Sequence, residues 1–364
     1  MRPGRFIGTT GPALNVEDFN ESSVPVTLST QFHVDTQFTT QDLALSLDMF
    51  SDRVLKPAVA AIANKIDRDG LVMAKNNTAN IVGTAGTPPT GLITYLTAAA
   101  YLDAEGAPRD GRRSCIVEPF TSATIVDSLK GLFVPQEAIG EQYRKGLMGR
   151  DSAGMNWKMD QNVVSQTFGS YSTAVLSCNT STATGFLTSG WASSSTIALS
   201  ATTASASLNV GDVIQIANVY AVNPQNRQAY GSNKLRNFVV TAAATVATSG
   251  TTSVTVSPAV ITAGQFQNVS VTSPGASTVT PFNNTGTVSP QNIIMHRNAF
   301  TLAVADLELP EGVHFAGRAS DKEIGLSMRV VRQYTINNDS IPTRLDVLYG
   351  WAPLYPELAC RVAA

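Results

Sequence analysis

From Tyr171 to Pro290 the chain carries only four acidic or basic side chains in 120 residues: Asp212, Arg227, Lys234 and Arg236. The flanks hold the other 48 of its 52, counting 25 Lys and Arg with 27 Asp and Glu. A block so poor in charge is either a Ser/Thr-rich linker or a folded module, and its apolar residues decide between them. Short alternating runs recur through it: "YSTAVLSC", "STIALSA", "DVIQIANVYAV", "NFVVTAA", "TSVTVSP" and "QNVSVTS". Turn-rich Ser, Thr, Gly, Asn and Pro separate them, and a linker gains nothing from regularly placed Val and Ile. Four to six short strands at this spacing predict an antiparallel sandwich or small barrel. "LNVGDVIQI" reads as a turn at Asn209–Gly211 feeding one of those strands, with Gly-Asp supplying the tight backbone.

At 364 residues the chain is too long for one average core, so two domains, or one domain with an insertion, are expected. Its formal net charge of −2 provides no global field toward nucleic acid or anionic lipid, so any contact with DNA is expected to be local and non-specific. Cys115, Cys178 and Cys360 are odd in number and widely spaced, and His33, His296 and His314 are scattered. This pattern favours three unpaired thiols over a zinc site or a disulfide framework. The N-terminal "MRPGRFIGTTGP" lacks the apolar stretch of a signal peptide, and no apolar run is long enough to span a membrane.

The flanks read as α/β or α+β. Val24, Val26, Leu28, Phe32, Val34 and Phe38 alternate, predicting a hairpin over 23–38 that turns at Ser-Thr-Gln. Leu43, Leu47, Phe50, Val54, Ala58, Ile62 and Ile66 then step by three and four, one face of a long helix. Pro57 predicts a kink near Arg53, or a shorter first helix followed by a second, and Gly70 an end. Leu92, Leu96, Ala99 and Leu102 mark a second helix with Pro88 or Pro89 in its first turn and Gly106 at its end. A buried strand in "RRSCIVEPF" and helices in "TSATIVDSLKGLF" and "PQEAIGEQYRKG" follow. After Pro290 come a strand-like run and two long strands around Asn337–Asp339, then a Pro/Tyr corner and a last short strand. The block between is expected as an insertion looped out of a surface turn.

No residue is nominated as catalytic, cofactor-binding or metal-ligating, and no cofactor is expected. The chain has no GxSxG elbow, Walker A loop, GxGxxG fingerprint or HExxH helix. "GTAGTPPTG" at 83–91 lacks the Lys and the strand of a phosphate cradle, so it reads as a flexible loop. Asp67 and Asp69 are two apart and face differently. His296 beside Arg297, and Cys115 after two arginines, are more simply structural. What remains points to assembly: a long Thr/Val hairpin able to lie across a neighbour and extend its sheet, and closely balanced charge.

Three segments, "FSDRVLKPAVAAIANKIDRDGL" (50–71), "IMHRNAFTLAVADLELPEG" (294–312) and "RLDVLYGWAPLYPEL" (344–358), resemble the major capsid proteins of tailed bacteriophages of the P22 coat type. "LNVGDVIQIANVYAVNPQN" with "KLRNFVV" resembles the inserted β domain of that group. The resemblance implies an α+β, HK97-like capsid fold. Its parts would be an E-loop and short N-terminal region over 1–40, a peripheral domain with the spine helix over 41–84, and the first part of an axial domain over 85–171. An inserted β-barrel domain over 172–290 and a return to the axial and peripheral domains over 291–364 would complete it. E-loop-like sequence arrives almost at once, so the family's N-terminal arm is expected to be absent, or the start codon to have been placed late.

The function implied is that of a coat protein forming the icosahedral head around double-stranded DNA, assembled in the bacterial cytoplasm and present in the virion. The implied partners are copies of itself in hexamers and pentamers, scaffolding and portal proteins, packaged DNA through weak non-specific contacts, and a decoration protein, with no membrane. The rival readings are an encapsulin-like shell around an enzyme, a β-rich adhesin or binding module, and a hydrolase.

Overall fold

The computed structural model describes residues 21–39, 54–128, 153–171, 175–180, 185–202, 204–231, 233–248, 250–271, 277–283, 286–321 and 325–364, with isolated positions between 6 and 16. They divide into two compact units. One comprises Met1–Val24, Ala74–Phe300 and Pro353–Ala364; the other comprises Pro25–Met73 and Thr301–Ala352.

In chain order the elements begin with β1 (Thr30–Thr39), α1 (Lys56–Asn77), β2 (Ile81–Gly83), α2 (Leu92–Ala104), β3 (Arg113–Val117) and α3 (Pro119–Ser128). Next come β4 (Asn156–Met159), β5 (Ser165–Thr167), β6 (Leu176–Cys178), β7 (Ser195–Ala201), β8 (Ala206–Leu208), β9 (Val213–Ala221) and β10 (Leu235–Val240). Then follow β11 (Ala244–Val246), β12 (Thr252–Ser257), β13 (Val269–Val271), β14 (Ser277–Pro281) and β15 (Val288–His296). The chain closes with β16 (Phe300–Ala305), β17 (Phe315–Asp321), β18 (Leu326–Arg332), β19 (Ser340–Pro353) and β20 (Ala359–Ala363). The result is a β-rich α+β fold.

In the first unit, β2, β20, β15, β3 and β4 form a sheet in that order, with β5 also paired to β15. One face packs α2 and α3: Tyr95, Ala98, Leu102 and Ile125 share a cluster with Cys115, Val117, Ile294, Cys360 and Val362. The alternate residues Ile81 and Ala363, on the other face, cluster with Val213 and Val239. Because successive strand residues point to opposite faces, β20 is buried on both sides, and all five of its residues are inaccessible.

The charge-poor block closes on itself. The ring β10–β12–β7–β6–β14–β9 returns to β10, every pairing is antiparallel, and β13 is added to β9. Closure removes the exposed edges of an open sheet. β9 pairs with β14 through its first half and with β13 through its second, and it bends between them at Asn218, where φ is +64°. Asn tolerates that left-handed backbone better than most residues. Entry to and exit from the block lie side by side, since β5 pairs with β15 from Ser165↔Pro290 to Thr167↔Val288. The six runs noted in the sequence all contain strands; β8, β11 and β14 are additions to them.

In the second unit, β1, β19, β18 and β17 form a sheet in that order, and β16 also pairs with β19. Ala58, Ile62 and Ile66 of α1 pack on Leu345, Val347 and Tyr349 of β19.

Several expectations need correction. Residues 23–38 are not a hairpin: β1 runs unbroken from Thr30 and pairs along all ten residues with β19. Ser-Thr-Gln lacks the residues that tight turns require. Residues 23–29 have no regular secondary structure, and Thr27 passes so close to Gly350 that a Cβ there would lie 2.0 Å from its carbonyl oxygen. Gly70 does not end α1, which continues to Asn77; it lies inside the helix because a Cβ would stand 2.7 Å from the Trp351 ring. Pro57 is the second residue of α1 and follows directly on two π-helical residues, Val54 and Leu55, a local change of helix geometry where a proline removes a donor. α2 is capped by Gly91 and buries Tyr95, Ala98 and Leu102, leaving Leu96 outside, and α3 begins at Pro119, before Thr121. Leu43, Leu47, Phe50, the kink at Arg53 and the helix over "PQEAIGEQYRKG" lie outside the described residues.

Candidate functional site

Three of the four charges in the block, Asp212, Lys234 and Arg236, are placed where the barrel meets the six-stranded sheet and α2. The C-terminal end of a helix leaves carbonyls without intrahelical donors and carries partial negative charge. At α2 the chain itself supplies part of the cap, with Ala107 N–H donating to Leu102 O at 2.9 Å around Gly106, at φ +78°. The barrel supplies the rest. The Tyr230 hydroxyl donates to Ala104 O, Arg236 pairs with Glu105, and Lys234 Nζ stands 3.5 Å over the Tyr101 ring. Arg236 and Glu105 are both nearly buried, so their ion pair is shielded from salt.

Asp212 organises a second contact. Its carboxylate is inaccessible and accepts from Asn209 N–H at 2.8 Å, Gly169 N–H at 2.9 Å and Gln166 Nε2 at 2.9 Å. The Asn209 donor closes the turn preceding β9; the Gly169 and Gln166 donors come from the strand entering the barrel. Lys75, at the end of α1, donates to Gln166 Oε1 at 2.7 Å and completes the chain of bonds. Two glycines make room for it: a Cβ on Gly169 would lie 1.8 Å from Ser207 O, and one on Gly211 (φ +93°) 2.7 Å from Gln166 Oε1. Burial pushes the Asp212 carboxyl up, opposed by its N–H donors and by Arg361. Arg361 on β20 is fully buried, and its three guanidinium nitrogens have no hydrogen-bond partner among the described residues. Burial lowers its pKa to about 10, with Asp212 acting in the opposite direction. Burial, then Arg361, lowers Lys75. One buried carboxylate thus lies in the field of one buried cation, Arg361, and one half-buried cation, Lys75.

A cleft of about 170 Å³ lies beside the Glu105–Arg236 pair, with Trp191, Phe266 and Tyr355 in its wall. The residues weighed in the sequence fall elsewhere. Cys115 lies in β3 with its thiol pushed up by burial, as core packing requires. His296 is buried with Nε2 3.2 Å from Asp110 Oδ1, a carboxylate distant in sequence. Asp69 accepts from Lys65 at 2.5 Å and from Tyr349 at 2.6 Å inside the second unit. The glycine-rich 83–91 stretch, expected as a flexible loop, is a turn tied to the C-terminus: Gly86 N–H donates to Ala364 O at 3.1 Å. The structural importance of Asp212 was missed, although the lone carboxylate in 120 residues was visible.

This arrangement fastens the barrel to the six-stranded sheet and α2. The family described as "P22 coat protein - gene protein 5" matches residues 12–361. The chain belongs to the P22 coat protein family. It is a major capsid protein, a structural component of the virion that assembles with its own copies into the shell of the head. The curated proteins include no match to this coat protein.

Solved structures similar to this coat protein include one from Mycobacterium phage Che8, at 10% identity over 96% of this chain and 76% of that one, TM-score 0.42. The capsid of cyanophage P-SCSP1u is 11% identical over 100% and 82%, TM-score 0.49. The mature capsid of bacteriophage PhiM1 is 10% identical over 99% and 79%, TM-score 0.46. The assignment rests on the family match. No helix of the described residues is long and apolar enough to cross a membrane.

Proposed function

We propose that this coat protein has the HK97-like fold and builds an icosahedral head of hexamers and pentamers around double-stranded DNA. Heterologous contacts between equivalent patches close such rings. On this reading residues 1–40 form the E-loop and N-terminal region, and 41–84 the peripheral domain with the spine helix. Residues 85–171 open the axial domain, 172–290 form the inserted barrel, and 291–364 return to the axial and peripheral parts. Assembly takes place in the host cytoplasm with scaffolding and portal proteins. A decoration protein binds the finished shell, and DNA is held by weak, non-specific contacts.

The observation that carries the functional reading is the family match across nearly the whole chain. The pairing of β5 with β15 supports the insertion, because a module can be looped out where its two ends already adjoin. Purified particles should protect double-stranded DNA from nuclease. Particles filled with a protein cargo, and free of nucleic acid, would support an encapsulin-like compartment instead. Deleting 172–290 should leave the six-stranded sheet protected in hydrogen exchange, with irregular assembly; complete loss of protection would move the boundaries.

A further inference from the structure

We propose that the outward face of α2 is a subunit contact, covered in the assembled shell by a second copy of this chain. The identity of the occupant rests on the coat-protein assignment; the location comes from the structure. α2 turns Tyr95, Ala98 and Leu102 inward to the sheet. Its other side carries Ile93, Leu96, Thr97 and Ala100, all exposed and spaced as i, i+3, i+4 and i+7, which places them in one stripe. Ile93 is 71% exposed and Leu96 42%. The Thr97 hydroxyl is turned back onto Ile93 O at 2.8 Å, so even the polar member spends its donor inside the helix.

A helix at a protein surface ordinarily turns charge toward water. Within α2 the sole Asp, Glu, Lys, Arg or His is Asp103, and it is engaged by Arg109 at 3.0 Å and Arg113 at 2.7 Å. α3, on the same face of the sheet, exposes Phe120 to 79% and contains one charge, Asp127. α3 thus adds a further exposed apolar side chain to this layer, while the charge-free stripe is that of α2. Copies of one chain bring like charges to equivalent places, and a closed shell repeats each contact many times. A charge-free patch meets no such repulsion, which suits it to a neighbour identical to itself.

The test uses the full chain with Ala100→Cys. The native thiols Cys115, Cys178 and Cys360 are all buried, so the new thiol reports alone. Maleimide labelling should be fast in dissociated subunits and at least tenfold slower in shells made of this chain alone. Equal rates would overturn the proposal, as would protection that appears only when a scaffolding or decoration protein is added. In parallel, Ile93→Glu with Leu96→Glu should abolish closed particles while the thermal midpoint of the subunit stays within a few degrees of the parent. Ile93→Val with Leu96→Met should keep assembly. Parental particle yield from the double glutamate variant would also overturn the proposal; if that variant unfolds, the labelling result decides. Failure of the unmodified chain to form any particle, alone or co-expressed with its scaffolding protein, would overturn this contact and the coat assignment together.

Discussion

The barrel and the five-stranded sheet of the second unit are built from similar β-branched and aromatic residues, yet they bury them differently. Among the described residues, twenty buried ones make one cluster in and around the barrel, against six for the sheet with α1. Every residue of β16 and β18 is only half-buried, and β17 is mostly exposed. Closure accounts for the contrast: a ring of strands turns one face wholly inward, whereas an open sheet covered by one helix leaves edges and a second face in water. The barrel therefore has a complete core of its own and needs charge only where it is fastened. The open sheet has surface left for contacts with other chains, as a shell-forming subunit requires.

Truncation should separate the two regions most strongly. Phe238→Ala, at an inaccessible barrel position, is expected to cost about 3–5 kcal/mol in urea unfolding, while Val330→Ala in β18 costs about 1 kcal/mol or less. Equal costs would break the comparison. Asp212→Ala should cost about 3–5 kcal/mol, because it leaves the Gly169 and Asn209 N–H donors and the buried Arg361 cation without their carboxylate. Loss near zero, by the same unfolding measurement, would show that the turn before β9 holds itself.

In the second unit, Gly70→Ala is expected to cost about 1–3 kcal/mol through contact with the Trp351 ring, and Trp351→Phe should recover part of the loss. The smallest effect concerns pH. The Asp103 carboxyl is held below its ordinary value chiefly by the Arg109 hydrogen bond, with Arg113 adding and burial opposing. Its contribution is therefore present above about pH 4 and lost as pH falls through the depressed folded value. Asp103→Asn should flatten the acid limb of a thermal-midpoint profile without altering it at neutral pH by a comparable amount. An unchanged acid limb would remove this pair from the stability of α2.

How much of this was legible in the sequence depended on how local the signal was. The barrel strands were readable because alternating Val and Ile between turn residues report pleat and burial directly. The extent of the charge-poor block was readable from the change in charge density at its ends. Gly70 was misread because the reason for a glycine inside a helix was a ring 281 positions away at Trp351. The hairpin at 23–38 was misread because alternation does not say which partner a strand chooses, and β1 chose β19. At the seam, Arg236 and Glu105 are 131 positions apart and His296 and Asp110 186, distances over which pattern carries no pairing information. The family resemblance supplied what local pattern could not.

Electron microscopy of the purified, full-length chain, alone and co-expressed with its neighbours in the phage assembly pathway, tests the central claim most directly. The expected result is closed shells of uniform size, disrupted by the double glutamate change in α2. A chain that stayed a single folded subunit under every concentration, salt and co-expression condition would contradict the reading of this molecule as a capsid building unit.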